Sequence, residues 1–276
     1  MTESEAALAG ALTVIGRLPA AEVATEPDAS WVASGRPWDS FNHVMAIELT
    51  GPDAAVERRI DDLDAALRRR RSLPATWWIG PSTRPADLAR RLGARGFLEA
   101  EEEYGMAIDV AAAPPPAGDI AEVVDPRGVD EFLGIMAGAY GWADDARSAA
   151  WAQLYRLPIP TRDRPWAHVV VRRGGLPAAC ASLFTAGGHA FVTNVGTLPG
   201  ERGAGLGTAA TLAVLRIAAR LGHRRATLTA SRMGRGVYAR IGFREDGVLE
   251  RRISPGAAGG PSGPAPTAAA DVGVSS

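Results

Sequence analysis

The sequence contains no lysine, so all 30 of its basic residues are arginines. Its one cysteine, Cys180, excludes an internal disulfide and fits a reducing compartment. The 31 acidic residues nearly cancel the basic ones, so bulk charge predicts no attraction to nucleic acid or to a membrane surface. No apolar run reaches the roughly 18 residues of a membrane span, and the acidic N-terminus is unlike a signal peptide. We therefore expect a cytoplasmic protein.

What is present is the composition of a globular chain. The 276 residues are 46% hydrophobic and 22% charged, which fits one large domain or two of ordinary size. Three consecutive prolines within residues 111–118 predict a linker. Residues 254–276 contain no aromatic residue and one charge, which predicts a disordered tail. We therefore expect domains at residues 1–110 and 119–253.

Hydrophobic periodicity predicts alternating helices and strands before the linker. Apolar residues at Val56, Ile60, Leu63 and Leu67 occupy one face of a helix, with charged residues opposite. A second helix is predicted in PADLARRLGARGF. Strands are predicted in NHVMAIEL, ATWWI and YGMAIDV.

The second half predicts an α+β fold with a mixed, mostly antiparallel sheet flanked by helices. Strands are predicted in IAEVV, AHVVVRR, AACASLFTA, HAFVTNVGT and ATLTA, and a closing strand pair in FREDGVLERRI. Helices are predicted in GVDEFLGIMAGAY and DARSAAWAQLY, from Leu206 to about Arg220, and in GRGVYARIG. Glycine-containing gaps between the middle strands are typical of hairpins.

The segment VGTLPGERGAGLG, residues 195–207, joins a strand to a helix, and its last eight residues contain four glycines and an arginine. Free backbone N–H groups at a helix N-terminus bind anions, and glycines allow the ligand to approach them. A phosphate-binding P-loop would need lysine where Leu206 stands. A dinucleotide-binding loop would follow the first strand of a βαβ unit, not a run of hairpins. The segment therefore predicts an anion site of another kind.

This segment resembles the cofactor motif of the GNAT superfamily of N-acetyltransferases, a strand followed by Arg-x-x-Gly-x-Gly. Arg202, Gly205 and Gly207 occupy those positions. The downstream segment SRMGRGVYARIGF resembles the family's second signature, with Ser231 where many members carry asparagine and Tyr238 seven residues later. The resemblance covers about residues 118–253.

The resemblance implies acetyl-CoA as acyl donor, no metal, and a set of cofactor-binding positions. The pyrophosphate would lie on backbone N–H groups of the glycine loop, and the pantetheine arm would pair with the preceding strand. Tyr238 would act as general acid toward the CoA thiolate. The implied cofactor-binding residues are Val195, Gly196, Thr197, Arg202, Gly203, Ala204, Gly205, Leu206, Gly207, Thr208 and Ser231.

The general base is not identified, because HAFVTNVGT contains no carboxylate. Asp144, Asp145, Glu201, His189 and an ordered water all remain candidates. Cys180 lies in an apolar strand without the histidine support of a nucleophile, which favours direct transfer over an acyl-enzyme.

Two aromatic residues between the first helices of the second half, Tyr140 and Trp142, stand where family members shape the acceptor pocket. Packing in the core explains them equally well.

The first half resembles a degenerate second copy of the same fold, so that the chain has two tandem copies. LGARGF carries Gly96 and Phe97 of the second signature, but Leu92 stands in place of the tyrosine. No Arg-x-x-Gly-x-Gly lies between Leu49 and Ala54. We expect a structural role there without bound cofactor.

The sequence as a whole favours an acetyl-CoA-dependent N-acyltransferase whose acceptor is a small-molecule amine or a peptide N-terminus. One alternative is a non-catalytic acyl-CoA-binding regulatory module, suggested by the missing base and the degenerate half. Another is a nucleotide-binding protein, which ATP or NAD would protect in preference to CoA.

Overall fold

The computed structural model of the protein describes residues 1–143, 145–157 and 166–256. In chain order its helices are α1 (Glu3–Leu12), α2 (Asp53–Arg69), α3 (Leu88–Ala94), α4 (Pro126–Tyr140), α5 (Ala146–Tyr155), α6 (Leu206–Arg220) and α7 (Arg235–Ile241). Its strands are β1 (Glu22–Thr25), β2 (Ser30–Ala33), β3 (His43–Met45), β4 (Thr76–Ile79), β5 (Leu98–Asp109), β6 (Asp119–Glu122), β7 (Trp166–Arg173), β8 (Leu176–Ala186), β9 (His189–Thr197), β10 (Arg225–Ala230) and β11 (Arg244–Ile253).

The chain divides into two compact units. Among the described residues, the first comprises Met1–Glu103 and 247–256, and the second comprises Tyr104–Asp246. The domain borders at residues 110 and 119 stay a prediction from the sequence.

The first unit contains a sheet in the order β1-β2-β3-β4-β11. Strands β3 and β4 are parallel, and the neighbouring pairs β1–β2, β2–β3 and β4–β11 are antiparallel. Helix α2 buries the predicted apolar face at Val56, Ile60, Leu63 and Leu67. This face joins the core that contains Trp77.

The second unit contains a sheet in the order β5-β10-β9-β8-β7-β6, in which β9 and β10 are parallel and the other pairs antiparallel. Helix α6 contributes Ala210, Val214 and Ala218 to the core on one face of this sheet. Helices α4 and α5 contribute Phe132 and Tyr155, which pack on β7 at the opposite face. This confirms the predicted mostly antiparallel sheet flanked by helices.

Two predictions at the end of the chain differ from the structure. The segment FREDGVLERRI forms one strand, β11, and not a strand pair, because pairing with β4 continues the extended chain past the Asp–Gly turn signal. The predicted tail begins too early: Ser254 is buried and exchanges two hydrogen bonds with Ala75, of 2.8 and 2.9 Å. The rest of the predicted tail, from residue 257, lies outside the described residues.

Candidate acetyl-CoA site

The glycine loop ends at a helix N-terminus that no side chain caps. Gly203 and Gly205 adopt the left-handed conformation, with φ of +79° and +75°, and Gly205 is the N-cap of α6. In the same unit, α4 and α5 are capped by the carboxylates of Asp125 and Asp145. The N-terminus of α6 therefore keeps its positive dipole end without a neutralising side chain.

The first turn of α6 presents backbone donors. The first intrahelical bond runs from Ala209 N to Gly205 O at 3.0 Å, and the N–H groups of the three preceding residues point out of the helix end. Gly207 allows this turn to pack on β9, because a Cβ there would lie 3.1 Å from the Thr197 Oγ1 atom. The predicted loop residues and the end of β9 are thus brought together.

Arg202 connects the loop to both neighbouring elements through its side chain. Its guanidinium donates to the carbonyl oxygens of Thr197 and Ala139, each at 3.4 Å. These bonds tie the end of α4 and the end of β9 to the start of the loop. The Arg202 side chain therefore braces the loop, and its backbone N–H donates to the Pro199 carbonyl at 3.5 Å.

Strand β9 separates from β10 where the predicted pantetheine site begins. The described residues of the two strands pair at Phe191–Thr227 and Val192–Leu228 only. Strand β9 then continues to Thr197, paired with β8 on its other side. Among the described residues, 195–197 therefore have no partner in β10, and this is the side of β9 on which an added strand would pair.

Tyr140 packs against residues 195 and 196 of β9. Its hydroxyl donates to the Val195 carbonyl at 3.1 Å, and its ring lies 3.3 Å from the position of a Cβ on Gly196. A side chain at Gly196 would also meet Ala139 at 3.0 Å. The end of α4 thus packs directly on the strand that the resemblance assigns to the cofactor.

The second predicted signature forms a compact turn. Ser231 follows β10, and its Oγ accepts from Gly234 N at 3.1 Å, so its hydroxyl supports the start of α7. Tyr238 lies in α7, is 5% exposed and packs edge-on against Phe243. Burial raises the pKa of the Tyr238 phenol above its usual value of 10, so it stays protonated at neutral pH.

The candidate bases differ in their surroundings. Asp145 caps α5, and its hydrogen bond from Ser148 N lowers the pKa of the carboxyl. Glu201 pairs with Arg173 at 3.0 Å. His189 begins β9, at the opposite end of the strand from the glycine loop. Asp144 lies outside the described residues.

A polar chain that the sequence did not predict crosses β7, β8 and β9; it is buried at His168 and Ser182 and half-buried at Asn194. His168 Nδ1 lies 2.6 Å from Ser182 Oγ, and Asn194 Nδ2 donates to the same oxygen at 3.0 Å. The Tyr155 hydroxyl hydrogen-bonds with the Asn194 side chain. The signal in the sequence was a histidine among valines in AHVVVRR, at an inward-facing position.

Burial lowers the pKa of His168 to about 3. Because the folded protein excludes a proton that the unfolded chain binds below pH 6.5, His168 stabilises the fold above that pH, and this contribution is lost as the pH falls. We expect the protonation of His168 in the unfolded chain to lower the free energy of unfolding by roughly 2 kcal/mol between pH 7 and pH 5. His168→Gln should therefore flatten the pH dependence in urea unfolding. Val170→Ala, which shortens a buried, non-titrating side chain of the same strand, is the control and should lower stability without changing the slope.

Cys180 faces the same side of the sheet as this chain. It is fully buried, and burial raises the pKa of its thiol to about 12. The thiolate that a nucleophile needs is therefore scarce at neutral pH.

Among the described residues, no cluster of three or more histidine, cysteine, aspartate or glutamate side chains could hold a metal ion. Within the same residues, no helix has both the length and the apolar character needed to cross a membrane.

Comparison with known proteins agrees with this geometry. The model of the acetyltransferase (GNAT) family matches residues 136–243. No curated protein matches the chain significantly. A GCN5-related N-acetyltransferase from Kribbella flavida shares 20% identity over 92% of this chain and 96% of its own, with a TM-score of 0.70. One from Sphaerobacter thermophilus shares 17% over 86% and 77%, with a TM-score of 0.58. A tandem GNAT protein from the clavulanic acid biosynthesis pathway shares 15% over 91% and 92%, with a TM-score of 0.55.

Residues 136–243 therefore form a GNAT acetyltransferase domain, as the two signatures predicted. The activity of that family is acetyl-CoA-dependent acyl transfer. The structural neighbours share the fold along most of the chain, and one of them is a tandem GNAT protein.

Proposed function

We propose that the protein transfers the acetyl group of acetyl-CoA to an amine, either a small molecule or a peptide N-terminus, by direct transfer in a ternary complex. The observation that carries the proposal is the uncapped, glycine-lined N-terminus of α6 beside the open edge of β9. Backbone donors and a positive dipole end suit a diphosphate, and the edge suits an amide-bearing arm.

Different segments of the site would bind different parts of acetyl-CoA. Backbone N–H groups of residues 202–208 would hold the pyrophosphate, and the main chain of residues 195–197 would hold the pantetheine arm. Ser231 would support the site through the turn that it makes with Gly234. Acetyl-CoA supplies an activated thioester, so a nucleophilic residue is not required.

Tyr238 would act as the general acid. The amine nitrogen forms a bond to the acetyl carbon, the carbon–sulfur bond breaks, and the phenol gives its proton to the leaving thiolate. The amine's own proton leaves to a base or to water. The support for Tyr238 is its position in the second signature and its protonated phenol.

We further propose that the first unit is a degenerate copy with a structural role. The N-cap of its α2 is Pro52, with no side-chain cap, and Asp53 places a carboxylate in the first turn, where it would repel a phosphate. Leu92, which replaces the signature tyrosine, is fully buried in the unit's core.

Incubation with acetyl-CoA should leave no N-acetyl group beyond the α-amino terminus. The chain has no lysine, and arginine stays protonated at any working pH. Cys180 should also remain unmodified because its thiol is buried and protonated. Intact-mass and peptide mass spectrometry measure both outcomes. A stoichiometric Cys180 thioester that passes its acetyl group to an added amine would overturn direct transfer.

The test of the proposed function is a panel of amines incubated with acetyl-CoA and monitored by release of free CoA thiol. We expect release that depends on one class of amine and saturates with both substrates. Saturable acetyl-CoA binding without release across the panel would instead identify an acyl-CoA-binding module. Protection by ATP or NAD in preference to CoA would identify a nucleotide-binding protein.

A further inference from the structure

We propose that Asn194 is a positioning residue for the thioester arm, held in place by the buried chain of Tyr155, Ser182 and His168. The inference rests on the proposed function, because it concerns the strand edge that would receive the arm. None of these four residues belongs to the two sequence signatures.

Strand β9 has a bulge at Asn194. Ser182 pairs with Thr193, whereas Cys180 pairs with Gly196, so two residues of β9 stand opposite one residue of β8. Asn194 is the first of those two and has a φ of +53°. Asparagine tolerates this left-handed conformation better than most residues, and a bulge redirects the strand that follows.

Hydrogen bonds to Ser182 and Tyr155 hold the Asn194 side chain. Its amide donates to Ser182 Oγ at 3.0 Å and hydrogen-bonds with the Tyr155 hydroxyl. Ser182 and His168 face each other across β7 and β8, and both are buried, at 0% and 1% exposure. Buried hydrogen bonds of this kind fix one geometry, because breaking them leaves polar atoms unsatisfied in the core.

The bulge occurs where the pairing of β9 with β10 ends. It lies between Val192, the last residue paired with β10, and the edge at residues 195–197. The Val195 carbonyl, on the second residue of the bulge, accepts a hydrogen bond from the Tyr140 hydroxyl. A side chain that fixes the bulge therefore sets the direction in which this edge presents its backbone groups.

The arm and the diphosphate use different parts of the site, which allows positioning to be separated from stability. Acetyl-CoA would contact both the β9 edge and the N-terminus of α6. The nucleotide 3′-phospho-ADP, which is CoA without its pantetheine arm, would contact only the latter. The measured quantity is the ratio of the two dissociation constants, obtained by isothermal titration calorimetry.

Asn194→Gly keeps the left-handed backbone accessible and removes the amide. We expect it to weaken acetyl-CoA binding by about tenfold or more, because the hydrogen bonds that hold the bulge are lost, and to leave 3′-phospho-ADP binding unchanged. Ser182→Ala and Tyr155→Phe should shift the ratio in the same direction, since each removes one support of Asn194. These two variants also test the inference if Asn194→Gly does not fold.

Val192→Ala is the matched control, because it shortens a buried side chain of the same strand on the face opposite the polar chain. It should lower the thermal midpoint and leave the ratio unchanged. Equal weakening of both ligands in the Asn194, Ser182 and Tyr155 variants, or no weakening, would overturn the positioning role. Failure of the wild-type protein to bind either ligand would instead overturn the proposed function.

Discussion

Gly205→Val should remove most of the rise in thermal midpoint that acetyl-CoA gives the wild-type protein. A ligand at 100 times its dissociation constant stabilises the folded state by about 2.7 kcal/mol, which corresponds to several degrees in a domain of this size. Gly205 is the N-cap of α6 and has a φ of +75°. Valine is strained in that conformation and would place its side chain beside the backbone donors.

Loss of the acetyl-CoA-induced rise in thermal midpoint would be due to a blocked binding site and not to a disrupted core. A Cβ on Gly205 would meet no other atom within 4 Å, so the substitution overpacks nothing. Gly200→Val is the matched control: it lies in the same loop, with open space around its Cβ position and no left-handed φ. Each variant is compared with its own ligand-free midpoint in a thermal unfolding scan. A full acetyl-CoA shift in folded Gly205→Val would show that the diphosphate binds elsewhere.

The parts of the site that are local in sequence could be predicted from it. Helix α6 begins at Leu206, as predicted, because the glycines that end the loop are adjacent to the apolar face of the helix. The two signatures likewise lie within short segments. The contacts of the Arg202 side chain could not be predicted, because one acceptor, the Ala139 carbonyl, is distant in the sequence.

The polar chain under α5 could not be predicted in the same way. His168, Ser182 and Asn194 are neighbours only because β7, β8 and β9 pair in one particular register. That register is set by the whole sheet, and a shift of one residue would turn the side chains to the other face. The strand β11 was mispredicted for a related reason: the Asp–Gly signal favours a turn locally, but pairing along the sheet outweighs it.

Tyr238→Phe should lower turnover by roughly tenfold to a thousandfold and leave acetyl-CoA affinity nearly unchanged, as expected for loss of a general acid. The substitution removes one hydroxyl and keeps the ring that packs on Phe243. Steady-state kinetics together with calorimetric binding of acetyl-CoA separate the two effects. Tyr104→Phe is the matched control, a tyrosine on the neighbouring part of the sheet whose ring lies under the Arg235 guanidinium; it should retain turnover.

The pH dependence distinguishes an acid from a residue that only packs. Because burial raises the pKa of Tyr238, the phenol stays protonated through the working range, and the deficit of Tyr238→Phe should be of similar size from pH 6 to pH 9. A leaving thiolate of CoA needs a proton at every pH in that range, so no condition within it should restore the variant. If water supplied the proton, Tyr238→Phe would turn over normally throughout, and the hydroxyl would have no part in the chemistry. A deficit in acetyl-CoA affinity with normal turnover would place Tyr238 in binding instead, as a wall of the thioester site.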